Sequence, residues 1–187
     1  MTPLEYTEAA NTAAGGFDDL FTAVNSSLAP DELYVVESWV APNHNFVEGN
    51  AFKIEFDVHP GFNIGYYEET DWAAVAFGAS TPIGVLPPNQ GIAVLFRNNL
   101  RYQVFAGPTM VFESPLEEPL PIPPFHVEFD VQASDFAGGG PTVVSMYVND
   151  TQYPLTGSGA ELIKADGIQG NYISLIGYGA FLDHSFD

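Results

Sequence analysis

The sequence predicts an all-β fold, a two-sheet antiparallel β-sandwich, from three observations. Apolar and polar residues alternate with period two in short runs, the pattern of strands with one buried face. Turn-forming residues separate the runs, and the 187 residues include 18 glycines and 15 prolines. Hydrophobic residues make up 46% of the chain and aromatic residues 14%, enough for one packed core in a single domain.

The N-terminal residues predict a short segment ahead of the sandwich. Residues 1–16 are rich in Ala, Thr and Asn and close with Gly15-Gly16, so we expect a flexible lead-in. The predicted domain then covers residues 17–187 and opens with a strand at Phe17–Phe21.

Two runs carry the clearest strand pattern. Phe52–His59 alternates apolar and charged residues, and Phe125–Gln132 repeats this pattern 73 positions later. We therefore expect two strands in similar environments of one sheet. The large aromatic residues assigned to the core are Trp39, Phe56, Phe96 and Phe129.

The remaining elements follow in order. Trp72–Gly78 predicts a buried strand, and Asn98-Asn99 separates the two strands of a hairpin, Ile92–Phe96 and Tyr102–Phe105. Five prolines in Pro115–Pro124 predict an extended crossover. The later elements are a hairpin of Thr142–Val148 with Thr151–Leu155, one helical turn within Gly159–Ala165, and closing strands at Tyr172–Gly177 and Phe181–Asp187.

Charge and composition exclude several functional classes. Four Lys and Arg against 24 Asp and Glu give a net charge of −20, which leaves nucleic acid and anionic membranes as poor partners. Without cysteine, disulfides, thiolate metal sites and cysteine catalysis are excluded. The histidines follow no metal-binding spacing, and we interpret them as solvent-facing or incidental: His44, His59, His126 and His184.

The order of the predicted pieces resembles a known superfamily. The pieces are Phe17–Phe21, Phe46–Phe52, Phe125–Val131, Met146–Thr151, Tyr172–Gly179 and Phe186-Asp187. Together they resemble the concanavalin A-like lectin and glucanase superfamily, especially laminin G-like bacterial modules related to laminarinase and lichenase jelly rolls. The resemblance implies a concanavalin A-like jelly roll, carbohydrate as ligand, and a secreted or cell-surface location.

The catalytic motif of the related hydrolases is incomplete in this chain. That motif is Glu-x-Asp-x-x-Glu, because retaining hydrolysis needs two carboxylates facing one groove. Glu55-Phe56-Asp57 and Glu128-Phe129-Asp130 match its first half, but Pro60 and Ala133 stand where the last Glu is needed. We therefore predict no catalytic residues and interpret the acids as a solvent face. A departed glycosidase site of Glu55, Asp57 and His59 is the alternative.

The resemblance also implies a structural calcium. In the family the ion is held by main-chain oxygens near the opening strand and before a long strand, and by an Asp near the C-terminus, a hard oxygen set that suits calcium. The corresponding positions here are Phe17, Gly49 and Asp187.

Sugar recognition needs aromatic rings for stacking and planar polar groups beside them. A loop and its flank, and the hairpin after it, carry such residues, and they predict a ligand-binding face formed by Asn63, Tyr66, Tyr67, Asp71, Trp72, Arg97, Tyr102 and Gln103. In the alternative interpretation, Trp72 and Tyr102 fill the core and Arg97 pairs with an acid.

Three functions are compatible with this sequence. The first is a non-catalytic, lectin-like carbohydrate-binding module, with neutral polysaccharide expected over anionic glycan because of the negative charge. The second is a polysaccharide-degrading hydrolase or lyase with a departed catalytic motif. The third is a structural or adhesive surface protein that self-associates through strand edges. We expect no nucleic acid partner and no membrane insertion.

Overall fold

The structure is a computed structural model that describes residues 21–23, 38–40, 51–59, 72–81, 83, 86–133, 140–165, 167–168, 170, 172–178 and 184–186. These residues form strands, turns and extended segments, with no helix among them. The predicted all-β, two-sheet antiparallel β-sandwich is confirmed. The lead-in at 1–16 lies outside the described residues, and of the predicted opening strand only Phe21 is described.

Thirteen strands make up the described fold. In chain order they are β1 Phe21–Ala23, β2 Ser38–Val40, β3 Ala51–His59, β4 Trp72–Ala79, β5 Ile92–Arg97, β6 Tyr102–Ala106, β7 Thr109–Glu113, β8 Phe125–Ala133, β9 Thr142–Val148, β10 Thr151–Tyr153, β11 Glu161–Lys164, β12 Tyr172–Tyr178 and β13 His184–Phe186.

The strands form two antiparallel sheets. Sheet I has seven strands in the order β1-β13-β3-β8-β9-β10, and β11 pairs with β9 beside β10. Sheet II has six strands in the order β2-β12-β4-β5-β6-β7. Side chains therefore alternate along each strand between the space that separates the sheets and an outer face.

Aromatic rings from the two sheets meet in the core. Phe129 of sheet I lies 5.5 Å, centroid to centroid, from Phe77 of sheet II, and Phe125 lies 5.7 Å from Phe96. All four rings are buried. Phe56 is also buried, so the core assignments of Phe56, Phe96 and Phe129 are confirmed. The side chain of Trp39 lies outside the described set.

The two matching sequence runs are direct neighbours. β3 pairs with β8 over eight residue pairs, from Ala51 opposite Gln132 to Val58 opposite Phe125. Alternate residues of the two strands are buried in the core: Ile54, Phe56, Val58, Phe125, Val127, Phe129 and Val131. The charged residues between them therefore lie on the outer face of sheet I, which confirms the predicted similar environments and the predicted acidic solvent face.

The predicted hairpins are confirmed. β5 and β6 pair across the turn at Asn98-Asn99, and β9 and β10 pair across Asn149-Asp150. Asn149 and Asp150 have φ of 47° and 63°, the left-handed backbone that a two-residue hairpin turn requires.

The sequence interpretation was wrong for Gly159–Ala165. Instead of a helical turn, Glu161–Lys164 forms β11 and pairs antiparallel with β9. Leu162 is buried and Ile163 is 64% exposed, so strand alternation places an apolar residue on each face. β7 was also missed, because its consecutive apolar residues Met110, Val111 and Phe112 do not alternate with polar ones.

Part of the outer face of sheet II is covered by the segment that follows β4. Ile83 of this segment is buried, and its backbone N–H donates to the Ser174 hydroxyl of β12 at 3.0 Å. Beneath it lies a second, smaller apolar cluster formed by Ala74, Ala76, Ala79, Ile83, Ala93, Leu95, Phe105 and Ile176. Trp72 and Arg97, at one end of this face, are half-buried.

Candidate functional site

The structure brings three of the predicted ligand-binding residues to one face. Trp72 of β4 is directly opposite Arg97 of β5, and Gln103 of β6 is opposite Leu95 of β5. Leu95 belongs to the outer cluster of sheet II, and Trp72 packs against the same cluster. Trp72, Arg97 and Gln103 are all half-buried. An aromatic residue, a guanidinium and an amide thus share the outer face of sheet II.

Hydrogen bonds order the polar side chains of this face. Arg97 Nη2 donates to Gln103 Oε1 at 3.0 Å, and Gln103 Nε2 donates to Glu113 Oε1 at 2.8 Å. Arg101 Nη2 lies 3.3 Å from Glu113 Oε2 and its Nε donates to the Ser114 carbonyl at 3.0 Å. We call Arg97, Arg101, Gln103 and Glu113 the polar strip. Because each side chain restrains the next, the strip is preorganised.

Tyr102, the fourth predicted residue on these strands, is part of the core. It is 1% exposed, and its ring lies 5.6 Å from Phe112 and 6.1 Å from Tyr153. Its hydroxyl donates to the Pro154 carbonyl at 2.6 Å, and burial raises the pKa of the phenol well above its usual value. Tyr102 therefore supports the polar strip from below instead of facing a ligand.

The other predicted site residues lie outside the described part of the chain. For ligand binding these are Asn63, Tyr66, Tyr67 and Asp71; for calcium they are Phe17, Gly49 and Asp187. Both assignments stay predictions.

The outer face of sheet I has a different chemistry. Three cross-strand pairs stand side by side on β3 and β8: Lys53 with Asp130, Glu55 with Glu128, and Asp57 with His126. We call these six residues the acidic face. Lys53 Nζ lies 2.8 Å from Glu128 Oε2 and 3.5 Å from Glu55 Oε1. One ammonium therefore stands between two carboxylates that face each other.

A histidine completes this arrangement. The Nδ1 atom of His126 lies 2.8 Å from Asp57 Oδ1. Glu55, His126 and Glu128 each offer a ligand atom, and these atoms lie within 4.8 Å of one another. The three side chains form a group that could hold a metal ion.

The ion pair with Lys53 affects the ionisation of Glu128. The hydrogen bond from Lys53 lowers the pKa of the Glu128 carboxyl, and hydrogen bonding to Glu55 adds to this effect. The same contact with Glu128 raises the pKa of the Lys53 ammonium. Both groups are therefore held in their charged forms at neutral pH.

Sequence reasoning missed this group because its members are on two strands. The spacing of the histidines along the chain predicts solvent-facing or incidental residues, and the side chain of His126 is exposed. The repeat of the two runs indicated two strands in similar environments, but the register that sets Glu55 opposite Glu128 is fixed only in the folded sheet.

Neither protein families nor curated proteins identify a relative of this chain. No protein-family model matches the chain, and the search of curated proteins gives no match. Among the described residues, no helix is long and apolar enough to span a membrane. The two outer faces of the sandwich carry the polar and charged groups described above.

Proposed function

We propose that this protein is a non-catalytic, lectin-like carbohydrate-binding module that recognises polysaccharide on the outer face of sheet II. The observation that carries the proposal is Trp72 directly opposite Arg97, beside the hydrogen-bonded amide of Gln103. Pyranose rings have apolar faces that stack on aromatic rings and hydroxyls at their rims that bond planar polar groups.

The polar strip suits hydroxyl recognition. An amide and a carboxylate accept hydrogen bonds from sugar hydroxyls, while guanidinium and amide N–H groups donate to them. The strip offers both kinds of group in a fixed array, and Glu113 is 35% exposed. A fixed array lowers the conformational entropy lost when the ligand binds.

A non-catalytic role fits the position of the acids. Glu55 and Asp57 face outward from sheet I, whereas the polar strip lies on sheet II. A carboxylate pair on the opposite side of the sandwich does not reach a chain bound along sheet II. The proposal also includes the concanavalin A-like family, a secreted or cell-surface location, and a structural calcium at Phe17, Gly49 and Asp187.

The direct test is affinity gel electrophoresis against neutral and acidic polysaccharides, with calcium or chelator, and with reducing ends assayed in the same samples. We expect retardation by a neutral polysaccharide without sugar release. Gln103→Ala removes the central amide of the strip, and we expect a loss of about tenfold in affinity, roughly 1.4 kcal/mol.

Tyr147→Ala is the matched control, because Tyr147 is a half-buried residue of β9 on the outer face of sheet I. Its affinity should equal that of the unmodified protein. Trp72→Ala should weaken binding more than Gln103→Ala, with circular dichroism as the check that the sandwich persists. If no glycan retards the protein, or Tyr147→Ala weakens binding as much as Gln103→Ala, the proposal is wrong. Sugar release would instead support the hydrolase.

A further inference from the structure

We infer that Glu55, Glu128 and His126 form a binding site for a divalent transition metal ion of the zinc class on the outer face of sheet I. The inference is independent of the proposed carbohydrate function, because it concerns the opposite face of the sandwich. It begins from the 4.8 Å limit that contains all three ligand atoms.

The scaffold fixes these ligands. β3 and β8 are adjacent strands inside sheet I, with β13 pairing on one side and β9 on the other. Glu55 is directly opposite Glu128, and His126 lies two residues before Glu128 on the same face. The buried neighbours Ile54, Phe56 and Val127 anchor the backbone in the core. Ligands on rigid strands are positioned more accurately than ligands on loops.

The donor set selects the class of metal. One imidazole nitrogen with two carboxylates suits Zn²⁺ and related ions, whereas Ca²⁺ prefers oxygen ligands alone. The imidazole is also oriented, since its Nδ1 lies 2.8 Å from Asp57 Oδ1, and a metal bound at Nε2 would leave this contact in place. Histidine ligands in proteins commonly make this second bond to a carboxylate.

The charge of the acidic face favours a cation at this position. The face has four carboxylates and one ammonium, and like charges directly opposite on a ladder destabilise it. Lys53 already places a cationic group 2.8 Å from Glu128 and 3.5 Å from Glu55. Its side chain is 48% exposed, so it is free to rotate into solvent. A metal ion and this ammonium therefore compete for the same two carboxylates.

This competition allows a test that distinguishes a metal site from an ordinary array of salt bridges. Protein freed of metal with chelator is titrated calorimetrically with Zn²⁺ and, separately, with Ca²⁺. We expect one saturable Zn²⁺ site and much weaker Ca²⁺ binding. Lys53→Met should tighten Zn²⁺ binding, whereas His126→Gln and Glu128→Gln should abolish it. Asp57→Asn should weaken binding by about 10- to 100-fold.

Asp130→Asn is the matched control, because it removes one negative charge from the same face without removing a ligand. Its Zn²⁺ affinity should stay close to that of the unmodified protein. A Co²⁺ absorption spectrum that changes in His126→Gln would report the nitrogen ligand directly. Circular dichroism checks that each variant of the acidic face is folded.

Three results would overturn the inference. The first is no saturable Zn²⁺ binding by the unmodified protein. The second is binding unchanged in His126→Gln, which would assign the metal to other residues. The third is equal weakening in Asp130→Asn and Glu128→Gln, which would mean that surface charge alone attracts the ion.

Discussion

The two outer faces of the sandwich differ in how their charges are compensated. On the polar strip, donors and acceptors alternate from Arg97 through Gln103 and Glu113 to Arg101. On the acidic face, four carboxylates surround Lys53 and His126. The first face is nearly neutral and ordered by its own hydrogen bonds, whereas the second has an excess of negative charge.

This difference in charge indicates which class of ligand each face can bind. A preorganised array of two guanidiniums, an amide and a carboxylate beside an aromatic residue can exchange hydrogen bonds with an uncharged polar molecule. An array with excess negative charge attracts a cation. The chain has four Lys and Arg in all, and two of them, Arg97 and Arg101, are in the polar strip. The other two, Lys53 and Lys164, lie on strands of sheet I.

The first prediction concerns the core that both faces share. Phe129 is fully buried and contacts Phe56 within sheet I and Phe77 across the sandwich. Phe129→Ala should lower the free energy of unfolding by about 3–5 kcal/mol, through lost burial and the cavity left behind. Urea denaturation measures this. Phe112→Ala, at a half-buried position of β7, should cost clearly less; equal costs would show that the rings between the sheets are not the main support of both faces.

The core was the most predictable part of the molecule. Alternation in Phe52–His59 and Phe125–Gln132 identifies the buried residues, because the side-chain period of a strand is two. Alternation does not specify which strand lies beside which, nor their register. The group of Glu55, His126 and Glu128 depends on that register, so it could not be derived from spacing along the chain.

Tyr102 and β11 show two further limits of sequence reasoning. Tyr102 carries a polar hydroxyl, but the Pro154 carbonyl, 52 positions away, accepts its hydrogen bond and permits burial. Glu161–Lys164 is too short for its period to be decided, and its exposed Ile163 obscures the alternation. In both cases the deciding contact is remote in sequence. The contact between Arg97 and Gln103 is easier to anticipate, because both residues belong to one hairpin and are 6 positions apart, whereas Trp72 reaches the same face from β4.

The second prediction separates the two faces directly. Gln103→Ala should lower polysaccharide affinity about tenfold and leave Zn²⁺ affinity unchanged, and His126→Gln should do the reverse. Mutations at distant sites without shared partners act independently. Gel retardation and calorimetry on both variants measure the two affinities. If either variant lowers the affinity for both ligands, the two faces are coupled through the sandwich. They are then not independent binding sites.

The third prediction concerns the support beneath the polar strip. Burial raises the pKa of Tyr102 above its usual value of 10.0, so the folded state retains a proton that the unfolded chain releases. The contribution of the Tyr102 phenol to the free energy of unfolding should therefore be constant below pH 10 and fall as the pH rises further. Tyr102→Phe should cost about 1 kcal/mol at pH 7, through the lost hydrogen bond to Pro154, and should lose less stability above pH 10.

Urea denaturation at pH 7 and pH 11 makes this comparison. Tyr147→Phe, on the outer face of sheet I, is the control. Some alkaline loss should persist in Tyr102→Phe, because burial also raises the pKa of Tyr153. An identical alkaline loss in Tyr102→Phe and the unmodified protein would show that the buried phenol is not its source.

The smallest expected effect is that of Lys53 on stability toward urea. It is measured with chelator present, so that the protein is free of metal. The hydrogen bond from Lys53 lowers the pKa of Glu128 in the folded state. Its stabilisation is therefore present above the unfolded value near 4.5 and is lost as pH falls through the folded pKa. Lys53→Met should lower the urea midpoint slightly at pH 7, since exposed ion pairs contribute little, and the difference from the unmodified protein should be smaller at pH 3.

Gln152→Met provides the control, because Gln152 is an exposed, uncharged residue of β10 opposite Tyr147. It should shift the midpoint equally at both pH values. If the urea midpoint of Lys53→Met is lowered as much at pH 3 as at pH 7, the effect comes from packing of the lysine stem. If it is lowered less at pH 3, the effect comes from the charge of the ammonium. Lys53→Met is expected to lower the stability of the metal-free protein and to raise its affinity for Zn²⁺. Both effects follow because the ammonium and the metal neutralise the same two carboxylates.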